Sequence, residues 1–284
     1  MRVFGLLFCF LSLPLFAGTQ LTTQIHDIDY GKTVQDEILV FLTSGHVVKV
    51  KREDQALLKK FTADKSARRW FDFKMDDDRF ITEMNVTESP VPEPQEDEKF
   101  FTPMNMTSEY VPTTIKDMDT AKKYFKEARY NPKDSQCFNR AMVWSYEWWR
   151  KHSLKSNKIL IFFTRTYIRR YNFEWWFHIA PYVHIKDGNK VVERVMDVKY
   201  GRGPLEFGKW TNLFMRNDAP CPVITKYSEY ADYPYTGECY IIRTHMYTYQ
   251  PADLQMYDSW GYVKEKFNMD EVRGAYLEAF DERI

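Results

Sequence analysis

The sequence predicts an α+β protein in which a cysteine-bearing helix packs on an antiparallel sheet, preceded by a smaller α+β unit. Three observations carry this. The run Cys137, Ala141, Trp144, Trp148 follows helical spacing, so one side of that helix turns inward. Apolar segments with strand character follow it: "KILIFF", "FEWWFHIAPYVHI", "VVERVMDVKY" and "CYIIRTHMYTY". Ahead of it, residues Asn85 to Thr114 are rich in Pro, Glu and Thr with little apolar periodicity, which is the composition of a linker between two folded segments.

In chain order, "MRVFGLLFCFLSLPLFAG" has one basic residue, an apolar run from Val3 to Leu13, Pro14 and a small Ala17. Residues 1–17 read as a secretory signal peptide, which makes the mature chain secreted or periplasmic. No later apolar run is long enough to span a bilayer, so no membrane association is expected. Residues 18–83 form the small α+β unit, with "EILVFLT", the turn "SG" and "HVVKVK" as a hairpin and "EDQALLKKFTADKS" as a helix. Residues 84–114 are the linker, open to proteases. Residues 115–284 form the second unit, starting with a helix at "DMDTAKKYFKEARY" that Asn131-Pro132 stops.

Forty Lys+Arg against forty Asp+Glu leave no net charge to steer the chain to nucleic acid or an anionic membrane. There is no Gly-rich phosphate loop, no Cys-x-x-Cys and no His-Glu-x-x-His, and "MDDDRF" lacks the spacing and glycine of a calcium loop. No metal and no cofactor are expected. Aromatic residues, 17% of the chain, supply ample core material. Once Cys9 leaves with the signal peptide, Cys137, Cys221 and Cys239 remain, an odd number for an oxidising compartment. Cys221 and Cys239 bound a loop-like stretch and are the natural disulfide, which leaves Cys137 as a free thiol.

Asp134 or Ser135 is placed to cap the helix of Cys137, with Pro132 preventing an earlier start. Cys137 then lies in the first turn, where the helix dipole and unpaired N–H groups favour the nucleophilic thiolate. The competing reading is a small buried hydrophobe, the usual state of a free cysteine. A histidine and a carboxylate within reach decide between them. His26 and His46 fall in the N-terminal unit, His152 ends a helix, and His184 and His245 sit in strands without a clear acidic neighbour. His178 lies on a strand buried on both faces, and the Asp187-Gly188 that follows is a strong hairpin signal. With Asp187-Gly188 as the two loop residues, Lys186 pairs with Asn189 and His178 faces Asp197 across the ladder. A loop centred on Gly188-Asn189 shifts the register by two and leaves Asp197 diagonal but within reach. Asp197 itself interrupts an apolar strand, where a charge needs a partner. Backbone donors could also satisfy it.

A helix-start cysteine, a strand histidine and an adjacent aspartate form a constellation for acyl transfer through a thioester. "CFNRA", "WWFHIA", "RVMD", "GPLEFGKW" and "APC" together resemble the secreted bacterial protein-glutaminase family over about Asp134 to Tyr249. The resemblance implies a transglutaminase-like or papain-like Cys-His-Asp catalytic domain made as a proenzyme, with Cys137 as nucleophile, His178 as base and Asp197 as orienting carboxylate. It also implies Trp175, with Trp176 beside it, for substrate binding, and it supports the Cys221–Cys239 disulfide. The expected partners are proteins with exposed glutamine and an activating protease, and the chain reads as a monomer. Two residues depart from the expected pattern. Val198 stands where a proline belongs after the aspartate, and Pro181 removes a ladder donor from the His178 strand, which points to a bulge or an edge. No family pattern is recognised in residues 18–114. Two rivals remain: a transglutaminase or cysteine protease on the same scaffold, and a secreted binding module with an inert thiol.

Overall fold

The structure, a computed structural model, describes residues 19–33, 37–64, 69–89, 101–103, 110–130, 135–231 and 237–284; the expected signal peptide, residues 1–17, lies outside them. The N-terminal unit is built from β1 (Thr19–Asp29), β2 (Ile38–Leu42), β3 (Val47–Val50), α1 (Gln55–Asp64), β4 (Trp70–Met75) and β5 (Ile81–Thr87). Its strands form one antiparallel sheet of order β3-β2-β1-β4-β5. The predicted hairpin is β2–β3, with Gly45 at φ 93° in the turn. β5 carries the unit to Thr87, past the expected end at Glu83.

β2 explains why "ILVFL" is apolar at every position. Ile38, Val40 and Leu42 face the unit's own core with Phe61, Phe71 and Phe73, whereas Leu39 and Phe41, with Val47, belong to the buried cluster that contains Cys137. Alternate side chains of a strand point to opposite faces, and here both faces are covered. The N-terminal unit is therefore packed against the second unit over a shared apolar core.

The linker is also partly structured. Within it, β6 (Phe101–Pro103) pairs antiparallel with a strand near the C-terminus, β12 (Tyr262–Lys264). From Tyr110 the chain lies on the second unit: the Tyr110 hydroxyl donates to the Ser156 carbonyl, and the Thr113 N–H donates to the Lys155 carbonyl at 2.9 Å.

The second unit runs β7 (Thr114–Ile115), α2 (Met118–Glu127), α3 (Cys137–His152), β8 (Asn157–Phe163), α4 (Arg165–Tyr171), β9 (Phe177–Asp187), β10 (Lys190–Val195), α5 (Phe207–Thr211), α6 (Ser228–Ala231), β11 (Cys239–His245), α7 (Pro251–Trp260), β12 and α8 (Met269–Phe280). Its sheet has the order β10-β9-β8-β11, with β7 parallel to β9. Helix α3 packs between β9 and α8. Among the described residues no helix is long and apolar enough to cross a membrane.

Three expectations about the His178 strand need correction. The ladder pairs Asp187 with Lys190, so the loop is Gly188-Asn189, the shifted register. Gly188 at φ 59° takes the first loop position, where a two-residue hairpin needs a residue at ease with positive φ. Second, β9 starts at Phe177, and residues 174–176 pair instead with the turn of the N-terminal hairpin. Third, Pro181 neither bulges β9 nor puts it at an edge: β9 is interior, and its register with β8 is unbroken from Tyr182 to Phe177. The Pro181 carbonyl accepts from Met196 N–H at 2.8 Å, on the β10 side. A strand residue's N–H and C=O point the same way, so the missing donor faces the place where β10 has already ended at Val195.

Candidate active site

Cys137 is the first residue of α3 and is 1% exposed. The expected cap is not the observed one. Asp134 lies outside the described residues, and the N-cap is Gln136, at φ −63° and ψ 139°, with no side-chain capping bond. Ser135 is taken by the buried Arg140, whose guanidinium donates to its carbonyl and, at 3.2 Å, to its hydroxyl. The N–H of Cys137 thus belongs to a first turn with no intrahelical acceptor and no side-chain cap.

His178 stands opposite Ile161 on β9 and is 3% exposed. Asp197 is two residues beyond the end of β10, in the turn closed by the Gly201 N–H to Asp197 carbonyl bond. It is 1% exposed, and its Oδ2 lies 2.7 Å from His178 Nε2. The diagonal placement is what the shifted register produces, since Val195 pairs with Tyr182 and Met196 N–H still bonds Pro181, so Asp197 arrives short of the position opposite His178. With Nε2 on the carboxylate, Nδ1 is the nitrogen left for Cys137, which lies close enough to help raise the imidazole.

Electrostatics and geometry agree. Burial alone would push the imidazole down, but the charge and hydrogen bond of Asp197, with those of Cys137, raise it from 6.5 to about 9. Burial would push the Asp197 carboxyl up, and His178, Trp210 and Arg140 together hold it below the usual range. Asp197 is a buried charge with a partner, as its interruption of an apolar strand required.

Trp210 is the residue sequence reasoning missed. Fully buried in α5, it donates Nε1–H to the same Asp197 Oδ2 at 3.0 Å. A buried tryptophan needs a partner for its indole N–H, and here that partner is the Asp197 carboxylate. The imidazole is walled by rings, with Tyr200 edge-on at 5.2 Å and Phe214 at 4.6 Å between centroids. A pocket of about 140 Å³ opens beside it, lined in part by Phe173, Glu174, Trp175, Tyr200, Leu213 and Phe214.

The two expected substrate tryptophans separate. Trp175 lines the pocket and meets the His178 ring edge-on at 6.5 Å. Trp176 does not line it: 2% exposed, it stacks on His26 at 4.4 Å and donates Nε1–H to the Leu42 carbonyl at 2.7 Å, both in the N-terminal unit. Cys221 and Cys239 are bonded, and Cys137 is free. His184 and His245, expected without acidic neighbours, have Glu193 at 3.6 Å and the charge of Asp253 respectively, but neither meets a thiol. Among the described residues no cluster of His, Cys, Asp or Glu could hold a metal ion.

Residues 108–214 match the model of a family described as Glutaminase. The match overlaps the resemblance read from the sequence between about Asp134 and Phe214, a stretch that carries Cys137, His178, Asp197 and Trp210, and it covers less than half of the chain. Among solved structures, the chain is similar to the A47Q2 mutant of pro-protein-glutaminase, at 12% identity and a TM-score of 0.51, with 91% of this chain and 92% of that chain covered. A second structure of pro-protein-glutaminase gives 12% identity, a TM-score of 0.48 and coverage of 90% and 92%. The first likeness shows the fold, over both units of the chain. No curated protein matches.

Proposed function

We propose that this chain is a secreted protein-glutaminase, made as a proenzyme, that converts glutamine side chains of proteins to glutamate and ammonia. The observation that carries it is the buried Cys137–His178–Asp197 arrangement, with its 2.7 Å carboxylate–imidazole bond, inside the segment matched to the glutaminase family. His178 takes the Cys137 proton through Nδ1, and the thiolate attacks the γ-carboxamide carbon. The Cys137 N–H at the open end of α3 is the first donor to the oxyanion. The imidazolium returns its proton to the leaving nitrogen, ammonia departs, and a thioester remains. His178 then activates water, which cleaves the thioester to glutamate and restores the thiol. Asp197 holds the imidazole in the required tautomer, and Trp210 holds Asp197.

The N-terminal unit, residues 18 to 87, is the inhibitory pro-region in this reading. Its turn residues Gly45 to Val47 lie along Glu174 to Trp176, with Val47 N–H to Glu174 carbonyl at 2.8 Å and Trp176 N–H to Gly45 carbonyl at 2.9 Å. A Cβ on Gly45 would come within 3.2 Å of the Phe177 ring, tight enough that the ring would have to give, and its φ of 93° strains any other residue. A protein substrate cannot reach a cysteine that is 1% exposed.

The test is to cut the chain between the units, remove the N-terminal fragment by digestion, and assay ammonia from a glutamine-rich protein. Ammonia release without crosslinks or new termini, abolished by Cys137→Ala and by His178→Ala, is expected. Crosslinks would make it a transglutaminase and new termini a protease. A thiol inert to iodoacetamide after removal of the fragment would leave a binding module.

A further inference from the structure

One arginine of the N-terminal unit is held by the second unit in a way that shared packing does not require. Arg79 sits in the β4–β5 turn at φ 66°, a conformation few non-glycine residues adopt. Its guanidinium donates to the Asn172 carbonyl at 2.8 Å, to Asn172 Oδ1, to the Phe173 carbonyl at 3.1 Å and to Val47 O at 3.1 Å. Three of these four acceptors belong to the second unit. They cluster where α4 ends, at the left-handed C-cap Asn172, φ 48°. Carbonyls at a helix C-terminus carry the negative end of its dipole and take cations well. The Glu174 carboxylate adds its charge, attracting Arg79.

This nest adjoins the reaction pocket. Phe173 and Glu174 line the same pocket as His178, and Glu174 accepts the backbone bond that aligns Val47 with the segment leading to Trp175. The N-terminal unit thus holds two things against the segment that lines the pocket, the hairpin turn and a guanidinium. When the unit leaves, the acceptors stay, because two are backbone carbonyls fixed at the end of α4 and the third is the Asn172 side chain beside them, with the Glu174 charge close by.

We propose that the Asn172–Glu174 nest is a substrate subsite that accepts an arginine side chain of the protein being deamidated, and that Arg79 fills it in the intact chain. This rests on the reading of the chain as a proenzyme of a glutamine deamidase. The planar fork of a guanidinium can reach two carbonyls and the Asn172 amide oxygen at once, which an ammonium cannot match, so the subsite selects arginine over lysine. Arg79 comes from a different turn than Gly45 to Val47, so the substrate arginine need not neighbour its glutamine in sequence.

The test has an arm that does not depend on turnover. In the full chain, Arg79→Gly suits the positive φ and empties the nest. Methylguanidinium at millimolar concentration should bind this variant and raise its melting temperature, with methylammonium at least about tenfold weaker and the wild-type chain unresponsive. Absence of guanidinium binding by a folded Arg79→Gly variant overturns the subsite. Independently, on the cleaved and activated chain, glutamine peptides carrying an arginine at scanned positions should show a kcat/KM about tenfold above peptides with citrulline there, roughly the worth of one exposed charge-assisted contact. Glu174→Gln should shrink that ratio toward one. Equal rates for arginine and citrulline peptides at every position overturn the proposal. Ammonia from none of the peptides would overturn the glutaminase reading instead, with the methylguanidinium result still deciding the nest.

Discussion

Replacing Asp197 by Asn isolates the charge of the carboxylate from its geometry. Oδ2 accepts both the 2.7 Å bond with His178 and the 3.0 Å bond from Trp210, so an amide with its oxygen at that position keeps both partners. The indole N–H enforces the orientation, because the amide nitrogen placed there would face a donor. What is lost is the negative charge. Raising the imidazole from 6.5 to about 9 corresponds to about 3 kcal/mol favouring the imidazolium over the neutral ring. Without the carboxylate, burial is the largest remaining influence and acts downward. An NMR titration of the His178 ring should therefore show its midpoint fall from near 9 toward or below 6.5. Turnover should drop by about a hundredfold or more, since that energy is net of burial and is lost when the imidazolium forms. Asp197→Ala should cost more, since it also strands the Trp210 and His178 donors. A folded Asp197→Asn variant whose His178 still titrates near 9 would refute the assignment of the shift to this pair.

Trp210→Phe keeps a ring but removes the donor to Asp197; kcat should fall about tenfold, the worth of one charge-assisted bond, with KM little changed. Opening the Cys221–Cys239 disulfide by a double change to Ser should cost about 3 kcal/mol in a denaturant titration, for a loop of sequence separation 18. His178 and Lys158 give opposite pH signatures. The folded-state pKa of His178 is raised, so its stabilisation is present below pH 6.5 and fades as pH rises through about 9; wild type minus His178→Ala, measured across that window, should show the loss. Lys158 is fully buried, donates to the Thr248 carbonyl at 2.5 Å, and is pushed by burial from 10.5 down to about 7. Charging it costs stability in acid, so Lys158→Met should stabilise by about 1–4 kcal/mol near neutrality, a gain that shrinks between pH 7 and 10.5.

What was legible in the sequence was what local pattern determines. The helix of Cys137, the β2–β3 hairpin, strands β8 and β11 and the disulfide all follow from periodicity, turn residues and cysteine count. The three central residues were also reachable, because a charge in an apolar strand and a thiol at a helix start each demand a partner. The register was not, since both Asp187-Gly188 and Gly188-Asn189 satisfy the hairpin rules and only the tertiary need to bring Asp197 to His178 distinguishes them. β1 was missed because "TQLTTQIHDID" is polar on one face and owes its place to two neighbours, β4 up to Gln24 and β2 from Ile25 onward. The docking of the N-terminal unit was hidden for a similar reason. Leu39 and Phe41 read as ordinary strand residues, and nothing local says that their face belongs to another unit's core.

That docking bears on activation. A short tether alone would hold a weak inhibitor at millimolar effective concentration, and cutting it would let the inhibitor diffuse away. The interface here is not weak. Leu39, Phe41 and Val47 are at most 3% exposed within the cluster around Cys137, each worth about 1.5–3 kcal/mol of apolar burial. Arg165–Asp27 at 2.6 Å, Arg169–Asp29 at 2.7 Å and the Arg79 nest add partly buried charged contacts. Cutting the linker therefore should not release the unit at micromolar protein; the nicked chain should migrate as one species on gel filtration and stay nearly inactive. Activity should rise only as the N-terminal fragment is digested or diluted away. The cut should also fall before Phe101 and not near Thr114, because β6 and Tyr110 are bound to the second unit and a later cut strips them from it. If the two fragments separate at micromolar concentration immediately after cutting, with full activity, the shared core is not what restrains the enzyme and the tether is.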